Sequence, residues 1–170
     1  MTCIVAIKDN GIVHMAGERA NSDSDIILSS KEAKIFDMGF YLLGYCGEVG
    51  IAQNIVYNFK APEFSIKNPR LYMQRKFVKA LREFVKEQGG DRVHESALLI
   101  GIKNTIWEIS LDDFQCLEYD EIAIGTGGAY AIGSLYSNTH LTPKDRCTEA
   151  IEAAIKYSPD CCGPIDYLSK

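Results

Sequence analysis

Apolar residues change their spacing several times along the chain, and each change predicts an element. Thr2-Cys3-Ile4-Val5-Ala6-Ile7-Lys8 is a nearly continuous apolar run, as expected of a strand covered on both faces. Asp9-Asn10-Gly11 reads as a hairpin turn, because Asn and Gly take positive φ at little cost. A second apolar run, Ile12 to Ala16, leads into Gly17-Glu18-Arg19-Ala20. Ile26 to Ser30 then precedes Lys31 to Phe36, and the turn Asp37-Met38-Gly39 separates these from Phe40 to Gly47. The first hairpin returns the chain beside its own start, so Glu18 is expected close to Thr2, with Lys34 arriving from a neighbouring strand.

From Gly47 to Lys60 the period changes. Val49, Ala52, Ile55, Val56 and Phe59 have helical spacing, which ends before Ala61-Pro62. A longer helix is predicted from Asn68-Pro69 to Gln88, with Met73, Phe77, Ala80, Leu81, Phe84 and Val85 on its apolar side and Gly89-Gly90 as its stop. Strands resume over 96–103 and 106–110, joined by a turn at Lys103-Asn104-Thr105, and again over 115–119 and 121–125. After Gly127-Gly128 comes a helix carrying Ala131, Ile132 and Leu135. The last helix opens with Thr142 as cap, Pro143 at its first position and Asp145 near the positive end of its dipole. Cys147, Ala150, Ile151, Ala154 and Ile155 form its buried stripe, and Ser158-Pro159 ends it. The order is strands, two helices, strands, two helices: an α+β chain in which two sheets pack together with helices outside them.

Composition narrows the function. The 170 residues suffice for one domain, 1–170, and 46% hydrophobic with 24% charged residues is an ordinary soluble composition. A net charge of −5 argues against a nucleic-acid surface, and the basic stretch from Arg70 to Lys86 reads as a solvated helix face or a subunit contact. No apolar run approaches the ~20 residues that span a bilayer, and Lys8, Asp9 and Asn10 interrupt the first run too soon for a secretory signal. A cytoplasmic protein without a membrane role is therefore expected. The six cysteines, Cys3, Cys46, Cys116, Cys147, Cys161 and Cys162, read mainly as small buried hydrophobes. His14, His94 and His140 are scattered and no Cys-x-x-Cys pair occurs, so neither metal nor cofactor is expected. Gly125-Thr126-Gly127-Gly128 before a helix resembles a phosphate loop, but position 130 is Tyr where the dinucleotide pattern has its third glycine, and no P-loop lysine follows.

The candidate chemistry sits at the start. If an aminopeptidase removes Met1, Thr2 carries a hydroxyl and a free amine on one residue, a nucleophile and its base together. An α-amine titrates near pH ~8, so an appreciable fraction of it is neutral at cellular pH and can accept the hydroxyl proton, directly or through water.

Thr2-Cys3-Ile4-Val5-Ala6-Ile7, Ala16-Gly17-Glu18-Arg19-Ala20, Ala33-Lys34-Ile35-Phe36, Gly44-Tyr45-Cys46-Gly47 and 122–131, in this order and spacing, resemble the proteasome β-type subunits, including the bacterial HslV (ClpQ) peptidase, among the N-terminal-nucleophile hydrolases. The resemblance covers nearly the whole chain and implies the four-layer αββα sandwich of that family. It also implies roles. Thr2 is the nucleophile, Glu18 the acidic residue that orients the site, and Lys34 the essential lysine, 16 and 32 residues beyond Thr2. Gly47 offers its N–H to the oxyanion. Thr126 stands where the family usually has serine and keeps a hydroxyl for the amine. Asp160 matches a supporting aspartate, although Gly163 replaces the serine usually found three residues later. Asn21, Glu32, Tyr45 and Val49 correspond to the first substrate pocket, a mixed set that names no favoured side chain. A peptide or unfolded-protein substrate follows, in a homo-oligomeric ring of stacked hexamers or heptamers, with an ATP-dependent unfoldase as a partner. The lack of a long leader resembles HslV. Two other readings stand beside this one: a ring-forming subunit with reduced or no activity, as retained Met1 would give, and an N-terminal-nucleophile amidase acting on small molecules.

Overall fold

Strand pairing, set in part by hairpin turns, builds two large sheets and a separate two-stranded hairpin. The computed structural model describes residues 2–23, 26–65, 67–88 and 95–170. In it β1 (Ile4–Asp9) turns through Asn10 and Gly11, at φ 46° and 81°, into β2 (Ile12–Glu18). Two consecutive positive φ angles make the tight turn that matches strand twist. Ile4 consequently faces Gly17, and the Glu18 N–H reaches the Cys3 carbonyl at 3.3 Å. Next come the short hairpin β3 (Ala20–Asp23) and β4 (Ile26–Ser29), then β5 (Ile35–Asp37) and β6 (Leu42–Cys46). The later strands are β7 (Ala97–Ile102), β8 (Thr105–Ser110), β9 (Cys116–Tyr119), β10 (Glu121–Ile124) and β11 (Ile165–Ser169). One sheet has the order β10-β1-β2-β11 and the other β5-β6-β7-β8-β9, with antiparallel neighbours throughout.

Helices cover both outer faces. On the five-stranded sheet lie α1 (Val49–Asn58) and a longer helical run made of α2 (Pro69–Tyr72), a π-helical turn (Met73–Phe77) and α3 (Val78–Glu87). On the four-stranded sheet lie α4 (Gly128–Ser137) and α5 (Pro143–Tyr157). The apolar run of β1 divides by period two. Cys3, Val5 and Ile7 pack with Ala131, Leu135 and Ile151 of the helices, whereas Ile4 and Ala6 pack with Leu42, Leu99 and Ile106 of the facing sheet. Each fully buried Ile contributes roughly 1.5–3 kcal/mol. The result is an α+β fold, a four-layer αββα sandwich.

Some elements differ from expectation. β3 and β11 were not anticipated: Ala20–Asp23 is polar apart from Ala20, and β11 is a half-buried edge strand. Lys34 precedes β5 by one residue, its carbonyl fixed by the Tyr45 N–H at 3.1 Å. Val49 and Ile132 are exposed, and Ile155 is half-buried at the edge of its stripe. α5 keeps the expected cap, with Thr142 Oγ1 accepting the Asp145 N–H at 3.2 Å. All six cysteines are free, and all but the half-buried Cys162 are buried. No described helix is long and apolar enough to cross a membrane. Met1, His94 and the expected helix stop at Gly89-Gly90 lie outside the described residues.

Candidate active site

Thr2 lies just before β1 and is only 2% exposed. Its hydroxyl oxygen accepts a hydrogen bond from Lys34 Nζ at 2.9 Å, and the same ammonium donates to Glu18 Oε1 at 2.6 Å. The residues are brought together by register. The β1–β2 hairpin lays Glu18 beside Cys3, and the β5–β6 pairing, Ile35 opposite Gly44, holds Lys34 at the sheet edge facing them.

Glu18 is wholly buried, yet its carboxylate is well supplied with donors. Besides Lys34, Oε1 takes the Cys3 N–H at 3.2 Å, while Oε2 takes the Ala20 N–H at 2.5 Å and the Cys162 N–H at 3.2 Å. These four bonds offset the desolvation of a buried charge and give Lys34, 6% exposed, a fixed counter-ion. The Cys162 bond also ties the segment after α5 to the site.

Two turns complete the surroundings. Gly125 has φ +87°, and a Cβ there would fall 2.2 Å from the Thr2 carbonyl oxygen, so only glycine lets this turn approach. The next residues exploit that closeness: Gly127 N–H donates to the Thr2 carbonyl at 3.1 Å, and Thr126 Oγ1 accepts from the Thr2 nitrogen at 3.4 Å. The glycine-rich loop thus backs Thr2. Gly47, at φ +105°, leads to α1, and a Cβ on it would lie 2.2 Å from Ser96 Oγ, which itself accepts the Glu48 N–H at 3.0 Å.

Thr2, Lys34 and Gly47 line a recess of about 140 Å³. It shares Ala20, Asn21, Lys34, Tyr45 and Val49 with a cleft of about 360 Å³ that also includes Glu32 and Gln53. All four residues expected in a substrate pocket, Asn21, Glu32, Tyr45 and Val49, therefore line one cleft beside the threonine. Asp160 stands apart from this set. Its N–H donates to Ser158 Oγ at 3.3 Å, and among the described residues its carboxylate takes no part in the hydrogen bonds that hold Thr2.

Burial pushes up the thiols of Cys3, Cys46, Cys161 and Cys162, which keeps them protonated and poor nucleophiles beside Thr2. Arg19 was not anticipated as a site residue. Its guanidinium grips Asp166 of β11 through Nε at 2.6 Å and Nη2 at 2.5 Å, and Nη1 donates to the Lys31 carbonyl at 2.7 Å, bracing the segment that carries Lys34. Ser96 and Gln53 were likewise missed. Each meets its partner across a long sequence separation, and no local pattern marks it.

No protein-family model matches the chain. HslV, the ATP-dependent protease subunit, of Staphylococcus carnosus is 30% identical over 166 residues, spanning 90% of this chain and 87% of that protein. HslV of Treponema denticola is 24% identical over 161 residues, spanning 91% and 88%. Among solved structures, Thiobacillus denitrificans BPH in complex with epoxomicin has TM-score 0.82 at 16% identity, covering 99% of this chain and 98% of that one. Eukaryotic HslV from Trypanosoma brucei has TM-score 0.76 at 17% identity, with the same coverage. The structural likenesses establish the fold, and the sequence likeness to the staphylococcal subunit, sustained over most of both chains, establishes kinship. This chain belongs to the HslV family of ATP-dependent protease subunits.

Proposed function

We propose that the chain, as one domain, is a threonine-type endopeptidase subunit of a self-compartmentalising ring, with Thr2 as nucleophile after removal of Met1. The observation that carries this reading is the buried Lys34 ammonium, shared between Thr2 Oγ1 at 2.9 Å and Glu18 Oε1 at 2.6 Å. A fixed cation beside a hydroxyl stabilises the alkoxide character that attack requires.

In this mechanism the Thr2 hydroxyl proton passes to its own freed α-amine, directly or through water, as Oγ1 bonds to the scissile carbonyl carbon. The carbonyl π electrons move to oxygen, and the Gly47 N–H stabilises the resulting oxyanion. Collapse breaks the C–N bond, and the amine's proton goes to the leaving nitrogen, leaving an acyl ester on Thr2. Water then attacks the ester, gives its proton to the amine, and releases the acid with the hydroxyl restored. Thr126 Oγ1, 3.4 Å from the Thr2 nitrogen, orients the amine. Glu18 holds Lys34, and Asp160 acts as a more remote support.

The cleft lined by Asn21, Glu32, Tyr45 and Val49 receives a substrate side chain. Peptides and unfolded proteins are the substrates. The chain works in the cytoplasm as a homo-oligomer of stacked hexamers or heptamers with an ATP-dependent unfoldase, a reading supported by HslV relatives named as subunits of an ATP-dependent protease.

Intact-mass measurement combined with fluorogenic-peptide hydrolysis tests the reading. Loss of Met1 is expected in active protein, and Thr2→Ala is expected to remove hydrolysis while leaving the fold intact. Hydrolysis by protein that retains Met1, or undiminished hydrolysis by Thr2→Ala, overturns it.

A further inference from the structure

Among the described residues, only one of the charges bordering the cleft is both fixed in place and left without an opposite charge. Lys34 is neutralised by Glu18. Lys31 also borders the cleft, but its ammonium has no ion-pair partner among the described residues and ends a flexible stem that favours solvent. Glu32 differs, because three contacts hold it. Its N–H donates to Ser30 Oγ at 3.0 Å, the carbonyl before it is gripped by Arg19 Nη1 at 2.7 Å, and its carboxylate Oε2 accepts from Gln53 Nε2 at 2.8 Å. Gln53 is neutral, so this contact brings the carboxylate no counter-ion. Glu32 and Tyr45 both line the cleft, and burial and then the nearby Glu32 charge push the Tyr45 hydroxyl pKa upward.

We propose that Glu32, held by Gln53, makes this cleft select peptides with arginine or lysine on the acyl side of the cut bond. The walls fit such a side chain: Ala20 and Val49 offer apolar contact for an aliphatic stem, and Glu32 offers a carboxylate for its cationic head. Thr2 lies in the recess that shares these walls, so a stem filling the cleft brings its own carbonyl towards the threonine hydroxyl. The inference rests on the threonine-peptidase reading and adds the substrate class to it.

The test uses Met1-free protein in its assembled state and three fluorogenic peptides differing only in arginine, leucine or glutamate before the cut. The arginine peptide is expected to show the highest kcat/KM. Because Glu32 is exposed to water, the advantage is moderate, about two- to fivefold over leucine, and shrinks as salt is raised. In Glu32→Gln the arginine-to-leucine ratio falls to near one, and in Glu32→Lys the glutamate peptide overtakes the arginine peptide. General damage to the protein lowers all three rates together and leaves the ratios alone, so the ratios isolate the charge. Cleavage that favours leucine or glutamate in the wild type, or an arginine-to-leucine ratio unmoved in Glu32→Gln, overturns the selectivity while leaving the peptidase intact. Absence of any cleavage overturns the peptidase reading and this one with it.

Discussion

Glu18 concentrates more of the site's energetics than any other side chain described. Its carboxylate accepts four hydrogen bonds with no exposure to water, and one of them anchors the ammonium on the Thr2 hydroxyl. Glu18→Gln keeps the shape but leaves Lys34 buried without a counter-ion and turns N–H donors towards other donors. Breaking one partner of such a pair costs about 3–5 kcal/mol, so urea unfolding should show a loss of that order, with peptide hydrolysis falling at least tenfold. Glu18→Asp is also expected to fail despite its charge, since a chain shorter by one bond of ~1.5 Å cannot keep all four donors in reach. Near wild-type stability and rate in Glu18→Gln would mean that the ion pair neither holds the fold nor serves the chemistry. Gly125→Ala tests a neighbouring contact: its Cβ would sit 2.2 Å from the Thr2 carbonyl oxygen, so hydrolysis should fall because the threonine backbone must move. An unchanged rate there would show that the position of Thr2 tolerates displacement.

Elements with local signals were the legible ones. β1 carries its double-sided burial in a continuous apolar run, Asn10-Gly11 carries the turn, and Thr142-Pro143 marks the start of α5. The proximity of Glu18, Lys34 and Thr2 was expected because a hairpin and the spacing of a known family both point to it. What stayed hidden depends on partners far along the chain. β11 becomes a strand because β2 offers a free edge, and Arg19 matters because Asp166 and the Lys31 carbonyl converge on it. The same edge gives a pH prediction. His14 of β2 meets the Tyr167 hydroxyl of β11 at 2.6 Å, and burial lowers its pKa below the ordinary 6.5, with Asp9 opposing the shift. The unfolded chain therefore binds this proton more readily than the folded one. Stability from neutral His14 is fully present above pH ~6.5 and is lost as pH falls towards the lower folded value. Stability measured from pH 7.5 to 5.5 should drop more in the wild type than in His14→Gln; equal slopes would remove His14 as the cause.

At the scale of the molecule, the sandwich buries its apolar stripes in three layers, yet among the large side chains left exposed, two groups cluster on neighbouring positions. Ile26, Ile27 and Leu28 line the β3–β4 hairpin, and Tyr130, Ile132, Tyr136 and Tyr157 gather on α4 and the end of α5. Scattered apolar side chains need no explanation, but contiguous groups of this kind mark surfaces that associate. Closed rings bury such groups by repeating one contact around an axis, and they also remove the peptidase cleft from folded proteins in the surrounding solution. If the proposed ring forms, sedimentation velocity should give a mass several times the 18.9 kDa of one chain, and the mass should fall on dilution together with peptide hydrolysis. A monomer of 18.9 kDa that hydrolyses peptides at full rate at every concentration would separate the chemistry of Thr2 from assembly, and the small-molecule amidase reading would then gain the stronger claim.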